Sequence, residues 1–287
     1  AFNVRGTDVT HTPVALSYAL VAEDGTAELF VAPDKVGDDV HRHLGNAVRV
    51  RDKAEFASAL RNLAGKRVAV DPERAVAAIF DALDAGGAML LPMRDPVVLA
   101  KAIKNPAEIA GHHAAQARDA AALVRFLKWF EESAPAGTLT ELDVMARLHD
   151  FRAETGVLKD ESFETISATG AHGASPHYKV TDESNAPILP GQLFLIDSGG
   201  QYADGTTDIT RVMPVTEPTA EMRDRFTRVL KGHIAVATAI FPDGTTGAQI
   251  DAFARRPLWE AGLDFSHGTG HGIGAVSYTH LTLPTIY

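Results

Sequence analysis

Two carboxylates eleven residues apart, Asp197 and Asp208, and an imidazole further on, His271, are the residues of this chain best placed to do chemistry. The acids flank residues 198–207 in the stretch LFLIDSGGQYADGTTDITR, 193–211. Its apolar start, Leu193 to Ile196, predicts a buried strand. The alternation from Asp208 to Val215 predicts an antiparallel partner, joined through the turn-tolerant residues 199–205. Pairing symmetric about positions 202 and 203 would set Asp197 directly opposite Asp208, with Cβ atoms ~4.5–5.5 Å apart. Acids that close repel, and one keeps a proton unless a cation lies between them. Two-metal hydrolytic sites hold their ions ~3.5–4 Å apart, a span such a pair can bridge. The competing reading has one acid capping the turn and the other paired with Arg211.

A second motif supplies nitrogen. His267 and His271 stand four apart in HGTGHGIG, 267–274. A helical zinc-protease motif is excluded, because Gly268 occupies the place of the catalytic glutamate. Alternate glycines also disfavour a helix. In an extended segment both imidazoles share a face and could line one cavity, with glycine allowing close approach of backbone to a ligand. The bland alternative is a glycine-rich turn carrying two solvated histidines. A metal-dependent hydrolase is the leading expectation, with the side chains at 197, 208 and 271 converging on one pocket wall.

With these motifs in view, the chain resembles the Xaa-Pro aminopeptidases (aminopeptidase P). These belong to the wider pita-bread group that includes prolidase, creatinase and methionine aminopeptidase. Further matches are KNPAEI at 104–109 and ESFETISATG at 161–170, the latter leading to Pro176, His177 and Tyr178. The resemblance extends from Ala1 to about Gly274. It implies an α/β (α+β) chain: a creatinase-like middle domain over residues 1–104, then a pita-bread catalytic domain over 105–276, whose curved antiparallel sheet is covered by helices. It also implies that the first is incomplete at its N-terminus and the second at its C-terminus. Carried over by position, Asp197 is a ligand of one metal, Asp208 the bridging carboxylate and His271 the imidazole ligand. His177 and His267 become the catalytic and substrate-binding histidines. Two divalent ions, Mn²⁺ by family habit, activate a bridging hydroxide against the bond before proline. The implied substrates are peptides with proline at the second position. Sister readings stay open: a prolidase or creatinase-like hydrolase, or a metal-free module that binds peptides or proteins.

The chain departs from the family at its end. The family's remaining two ligands are glutamates beyond the His-Gly-x-Gly-His motif, yet no acidic residue follows Asp264. Two carboxylates against two dications leave charge uncompensated, so the expectation is weak metal binding and an inactive fragment. Residues 277–287 resemble an adapter-derived translation and are expected to be non-native. His280 sits at the offset of the family's next histidine, but in unmatched surroundings.

The rest of the chain must position these groups. It has 287 residues, 45% apolar, enough for two domains with real cores. A net charge of −10 argues against nucleic acid or an anionic membrane as partner. No apolar run reaches the ~18 residues of a membrane span, and no signal-peptide pattern opens the chain. With no cysteine there is no disulfide, thiolate zinc site or thiol nucleophile. A cytoplasmic setting is expected, and a homodimer is left open. Residues 16–21 and 28–32 read as a strand pair about the Asp24-Gly25 turn, and 67–71 and 88–92 as strands flanking a helix over 72–85. Arg5, Asp8 and His11 read as solvated loop residues. Pro106 and Glu108 open a helix that runs to about Ser133, with Leu123, Phe126, Leu127 and Phe130 as its apolar stripe. Thr140 begins a second helix, and further helices are expected over about 219–240 and 248–261. His112, His113 and His149 read as helix-surface residues without chemistry.

Overall fold

The computed structural model describes residues 2–272, which fall into two compact units meeting between Lys104 and Asn105. Ile273 and Gly274 of the glycine-rich motif, His280 and the 277–287 segment lie outside the described residues.

The first unit contains β1 (Tyr18–Val21), β2 (Ala27–Val31), α1 (Asp38–Leu44), β3 (Val48–Asp52) and α2 (Phe56–Arg61). It continues with β4 (Arg67–Val70), α3 (Ala77–Ala85), β5 (Met89–Pro92) and α4 (Pro96–Ala102). β1 and β2 are antiparallel, and their turn is closed by Asp24, whose carboxylate accepts the Thr26 N–H at 2.9 Å. β3 adds parallel to β2, and β4 runs parallel to β5 across α3. Leu60, Ala82 and Leu83 form the buried centre, with Phe56, Val68 and Ile79 against it. Helix α3 begins at Ala77 rather than Pro72. The Asp71 carboxylate accepts the N–H groups of Glu73 and Asp95, at 2.9 and 2.8 Å, so the intervening residues stay in a turn. Asp8 is held rather than solvated: it pairs with Lys35 and accepts the Leu16 N–H.

The second unit opens with α5 (Pro106–Ser133) and α6 (Glu141–Ala153). Both start with reciprocal caps, Asn105 with Glu108 and Thr140 with Asp143, as expected of these residue types at these offsets. Then come β6 (Asp160–Glu161), β7 (Ile166–Thr169), β8 (Leu193–Ser198), β9 (Gly200–Gln201) and β10 (Ile209–Pro214). Two helices follow, α7 (Ala220–Ala237) and α8 (Gly247–Trp259). β8 lies between β10 and β7 in an antiparallel sheet, and β6 pairs with β9 just beyond.

Along β8 the side chains alternate: Phe194, Ile196 and Ser198 are buried, while Leu193, Leu195 and Asp197 face the more open side. The buried face meets the apolar stripe of α5. Leu123, Phe126 and Phe130 pack with Val144, Leu148, Ile188 and Phe194, and the Phe130 and Phe194 rings stack at 4.8 Å. Each such side chain contributes ~1.5–3 kcal/mol on burial. The expected stripe is therefore core, and it fixes the sheet that carries the acids. α7 and α8 cross where Gly232 lies so near the Ala254 carbonyl that a Cβ would come within 2.2 Å of it.

Candidate active site

Asp197 and Asp208 share one face of the β8–β10 hairpin, but they are diagonal rather than opposed. Thr210 stands opposite Asp197 and Ile209 opposite Ser198. Continued along the strands, that register places Asp208 across from Gly199. The hairpin is thus centred between 203 and 204 instead of between 202 and 203, which moves each residue's partner by two; its tip is Tyr202 to Gly205, closed by Tyr202 N–H to the Gly205 carbonyl at 2.9 Å. The reason is burial. Tyr202, expected near the middle of a free turn, is 3% exposed and anchored in the protein. Because side chains repeat every second residue, a shift of two leaves both acids on the same face.

Both acids have their pKa raised. For Asp197 burial is the main cause, opposed by a Thr210 hydrogen bond and by His271 and His177. For Asp208 burial again leads, followed by repulsion from Asp197, with His271 opposing. His271 Nε2 lies 3.3 Å from Asp208 Oδ2. One oxygen of Asp197, Oδ1, is buried without a hydrogen-bond partner. The turn-cap alternative is not what is seen, since Arg211 donates to the Thr210 carbonyl.

The structure thus brings Asp208 and His271 into contact and sets Asp197 and His177 within electrostatic range. His267 is elsewhere: its ring packs by Phe265, its Nδ1 lies 2.8 Å from the Gly268 oxygen, and Arg255 donates to its carbonyl. Residues 267–272 are neither helix nor strand, so the shared-face argument for the two histidines does not apply. Among the described residues no three His, Asp or Glu side chains are gathered tightly enough to hold an ion. The acid pair and His271 stand looser than a coordination shell. An orphaned buried carboxylate oxygen beside a second, repelled carboxylate is nevertheless the charge pattern that a cation relieves, so these residues fit a divalent metal.

Two buried polar clusters support the hairpin, and neither was visible in the sequence. Glu141, in the first turn of α6, is fully buried. Its carboxylate accepts from Thr169 N at 2.7 Å, Tyr178 Oη at 2.9 Å and Ala186 N at 3.2 Å, and His172 Nδ1 lies 2.9 Å away. Tyr178 adjoins His177, so this carboxylate steadies the segment that carries it. The Tyr178 hydroxyl has its pKa raised, chiefly by burial. The second cluster joins Asp119, Arg152 and Tyr202. Its members lie on α5, α6 and the hairpin tip, and no local spacing announces it. His149, expected to be idle, lies 3.3 Å from Glu161.

Residues 110–286 match Metallopeptidase family M24, and residues 1–108 match the Creatinase/Prolidase N-terminal domain. Aminopeptidase P2 of Arabidopsis thaliana is 42% identical over 97% of this chain and 43% of its own length. Xaa-Pro aminopeptidase 1 of Dictyostelium discoideum is 39% identical over 97% of this chain and 44% of its own. The chain therefore spans less than half the length of these curated relatives. The crystal structure of X-prolyl aminopeptidase from Caenorhabditis elegans, described as a cytosolic enzyme with a di-nuclear active site, superposes with a TM-score of 0.85. It is 36% identical, over 95% of this chain and 46% of that one. The unit with the acid-bearing sheet is accordingly a pita-bread domain, it follows a creatinase-like unit in sequence, and the chain belongs to metallopeptidase family M24.

Proposed function

We propose that the protein bearing this chain is a dinuclear-metal aminopeptidase that cleaves the bond between an N-terminal residue and a following proline. The observation that carries this is the half-buried acid pair: Asp197 with an unpartnered buried oxygen, Asp208 repelled by it, and His271 against Asp208. The likeness to Aminopeptidase P2 and to a di-nuclear X-prolyl aminopeptidase supplies the substrate class.

In this reading Asp197, Asp208 and His271 hold the ions, with Mn²⁺ preferred because the donors are mostly oxygen. When bound, the ions supply Lewis acidity toward the scissile carbonyl and lower the pKa of water. His177, coupled to Asp197, holds the proton delivered to the leaving proline nitrogen. His267 contacts the peptide, its backbone held by Arg255. A cytoplasmic location accords with the cytosolic description of the nematode neighbour, and among the described residues no helix is long and apolar enough to cross a membrane.

The test compares Mn²⁺-dependent hydrolysis of Xaa-Pro-Xaa tripeptides with that of Xaa-Pro dipeptides. Asp197→Asn is expected to lower turnover by two orders of magnitude or more, about the range of a lost transition-state contact. Cleavage confined to dipeptides would favour a prolidase. A metal-independent, peptide-binding protein would sink the hydrolase reading altogether.

A further inference from the structure

We propose that the buried Tyr202–Asp119–Arg152 chain is a positioning device for Asp208: it fastens the hairpin tip to α5 and so sets where that carboxylate stands relative to Asp197. The inference rests on the metal-site reading above and extends it to residues that touch no metal and no substrate.

The tip is fastened by side chains first. Tyr202 donates its hydroxyl to Asp119 Oδ1 at 2.7 Å, and Arg152 donates Nε to the same oxygen at 2.8 Å and Nη2 to Oδ2 at 3.1 Å. Arg152 and Asp119 are buried to 0% and 2% exposure. A buried ion pair depends on its remaining valences being filled: the Tyr202 hydroxyl fills one on Asp119, while Arg152 Nη1 is left without a partner, so little else replaces the tyrosine if it is lost. Arg118 adds a second clamp, a two-pronged bond to Asp204 at 3.1 and 3.0 Å, with its guanidinium over the Tyr202 ring.

Backbone contact then leaves no slack. A Cβ on Gly111 would come within 2.1 Å of the Asp204 carbonyl, and one on Gly205 within 2.9 Å of the Ala115 Cβ. The strand beneath the tip carries the constraint to the site. Thr207, fully buried, donates its N–H to the Gly200 carbonyl at 3.0 Å and accepts the Gly200 N–H on Oγ1 at 2.8 Å. Its carbonyl accepts from Ser162 Oγ at 2.8 Å. Asp208 is the next residue. A tip that loosens from α5 therefore passes its motion through Thr207 to Asp208, while Asp197, seated in the central strand, stays fixed.

Tyr202→Phe keeps the ring and removes only the hydroxyl. The probe is Mn²⁺ itself, with the free ion followed by its paramagnetic resonance signal during titration of the whole chain. The expected result is about tenfold weaker Mn²⁺ binding, the lower end of what loss of a supporting group outside the ligand shell does. Val144→Ala, on the far core face, serves as a control with a comparable drop in Tm and unchanged Mn²⁺ affinity. Arg118→Lys, nearer the surface and safer for folding, is expected to weaken binding in the same direction but by less than Tyr202→Phe. Hydrogen exchange should quicken over 199–211 in both tip variants. If Tyr202→Phe lowers Tm yet binds Mn²⁺ like the parent, the chain is merely structural and the proposal is overturned. If the parent itself binds no Mn²⁺, the metal-site reading fails and takes this inference with it, an outcome told apart by the parent titration alone.

Discussion

Asp197 and Asp208 are costly residues for a protein to hold at neutral pH without a cation. Burial raises both pKa values and mutual repulsion raises that of Asp208 further, so the folded chain binds protons that the unfolded chain releases. Their sign follows directly. The contribution of these two acids to the stability of the metal-free protein is greatest below the ordinary carboxylate pKa, and it falls as pH rises through the elevated folded values. Asp208→Asn should therefore raise the stability of the metal-free protein by about 1 kcal/mol at pH 7 and by nothing near pH 4, measured by thermal unfolding in chelator. The pair was legible because acid, glycine turn and acid sit at hairpin spacing. Their diagonal placement was not, because it depends on Tyr202 reaching Asp119, eighty-three positions away. Glu141 was missed for the same reason, its partners lying at 169, 172, 178 and 186.

At the scale of elements, local chemistry was the better guide. Asn105 with Glu108 and Thr140 with Asp143 mark helix starts that needed no tertiary information, and the α5 stripe named its own buried face. Local reading fell short where a side chain bonds across the chain, as at Asp71, whose bond to Asp95 holds back the start of α3. It also could not foresee the α7–α8 crossing, since Gly232 is an ordinary helix residue until Ala254 is set against it. Gly232→Ala should lower stability by ~1–3 kcal/mol by overpacking, although alanine is the better helix former. Urea unfolding, with the slope unchanged, would measure it. A stabilised variant would show that the helices can move apart at little cost.

For the whole molecule, each unit has a core of its own, and family membership rests on motifs scattered from Lys104 to the glycine-rich segment. The outer surface is less settled. Phe226, Val229, Leu230 and Ile234 are exposed at helical spacing on α7, with Phe253 and Trp259 exposed on α8. Apolar area of that kind promotes self-association. Concentration-dependent sedimentation is expected, and Phe226→Lys should shift it toward the monomer without altering the helix signal in circular dichroism.

Among the described residues the outer strands of the sheet are β10 and β7, and their rims differ. Where β7 might have offered its free rim, α6 has moved in: Glu141 takes the Thr169 N–H on its carboxylate and the Ser167 hydroxyl on its carbonyl. An incoming ribbon, whether from this polypeptide or another, finds the Thr169 N–H already taken there, whereas no described strand pairs with the outer rim of β10, Ile209–Pro214.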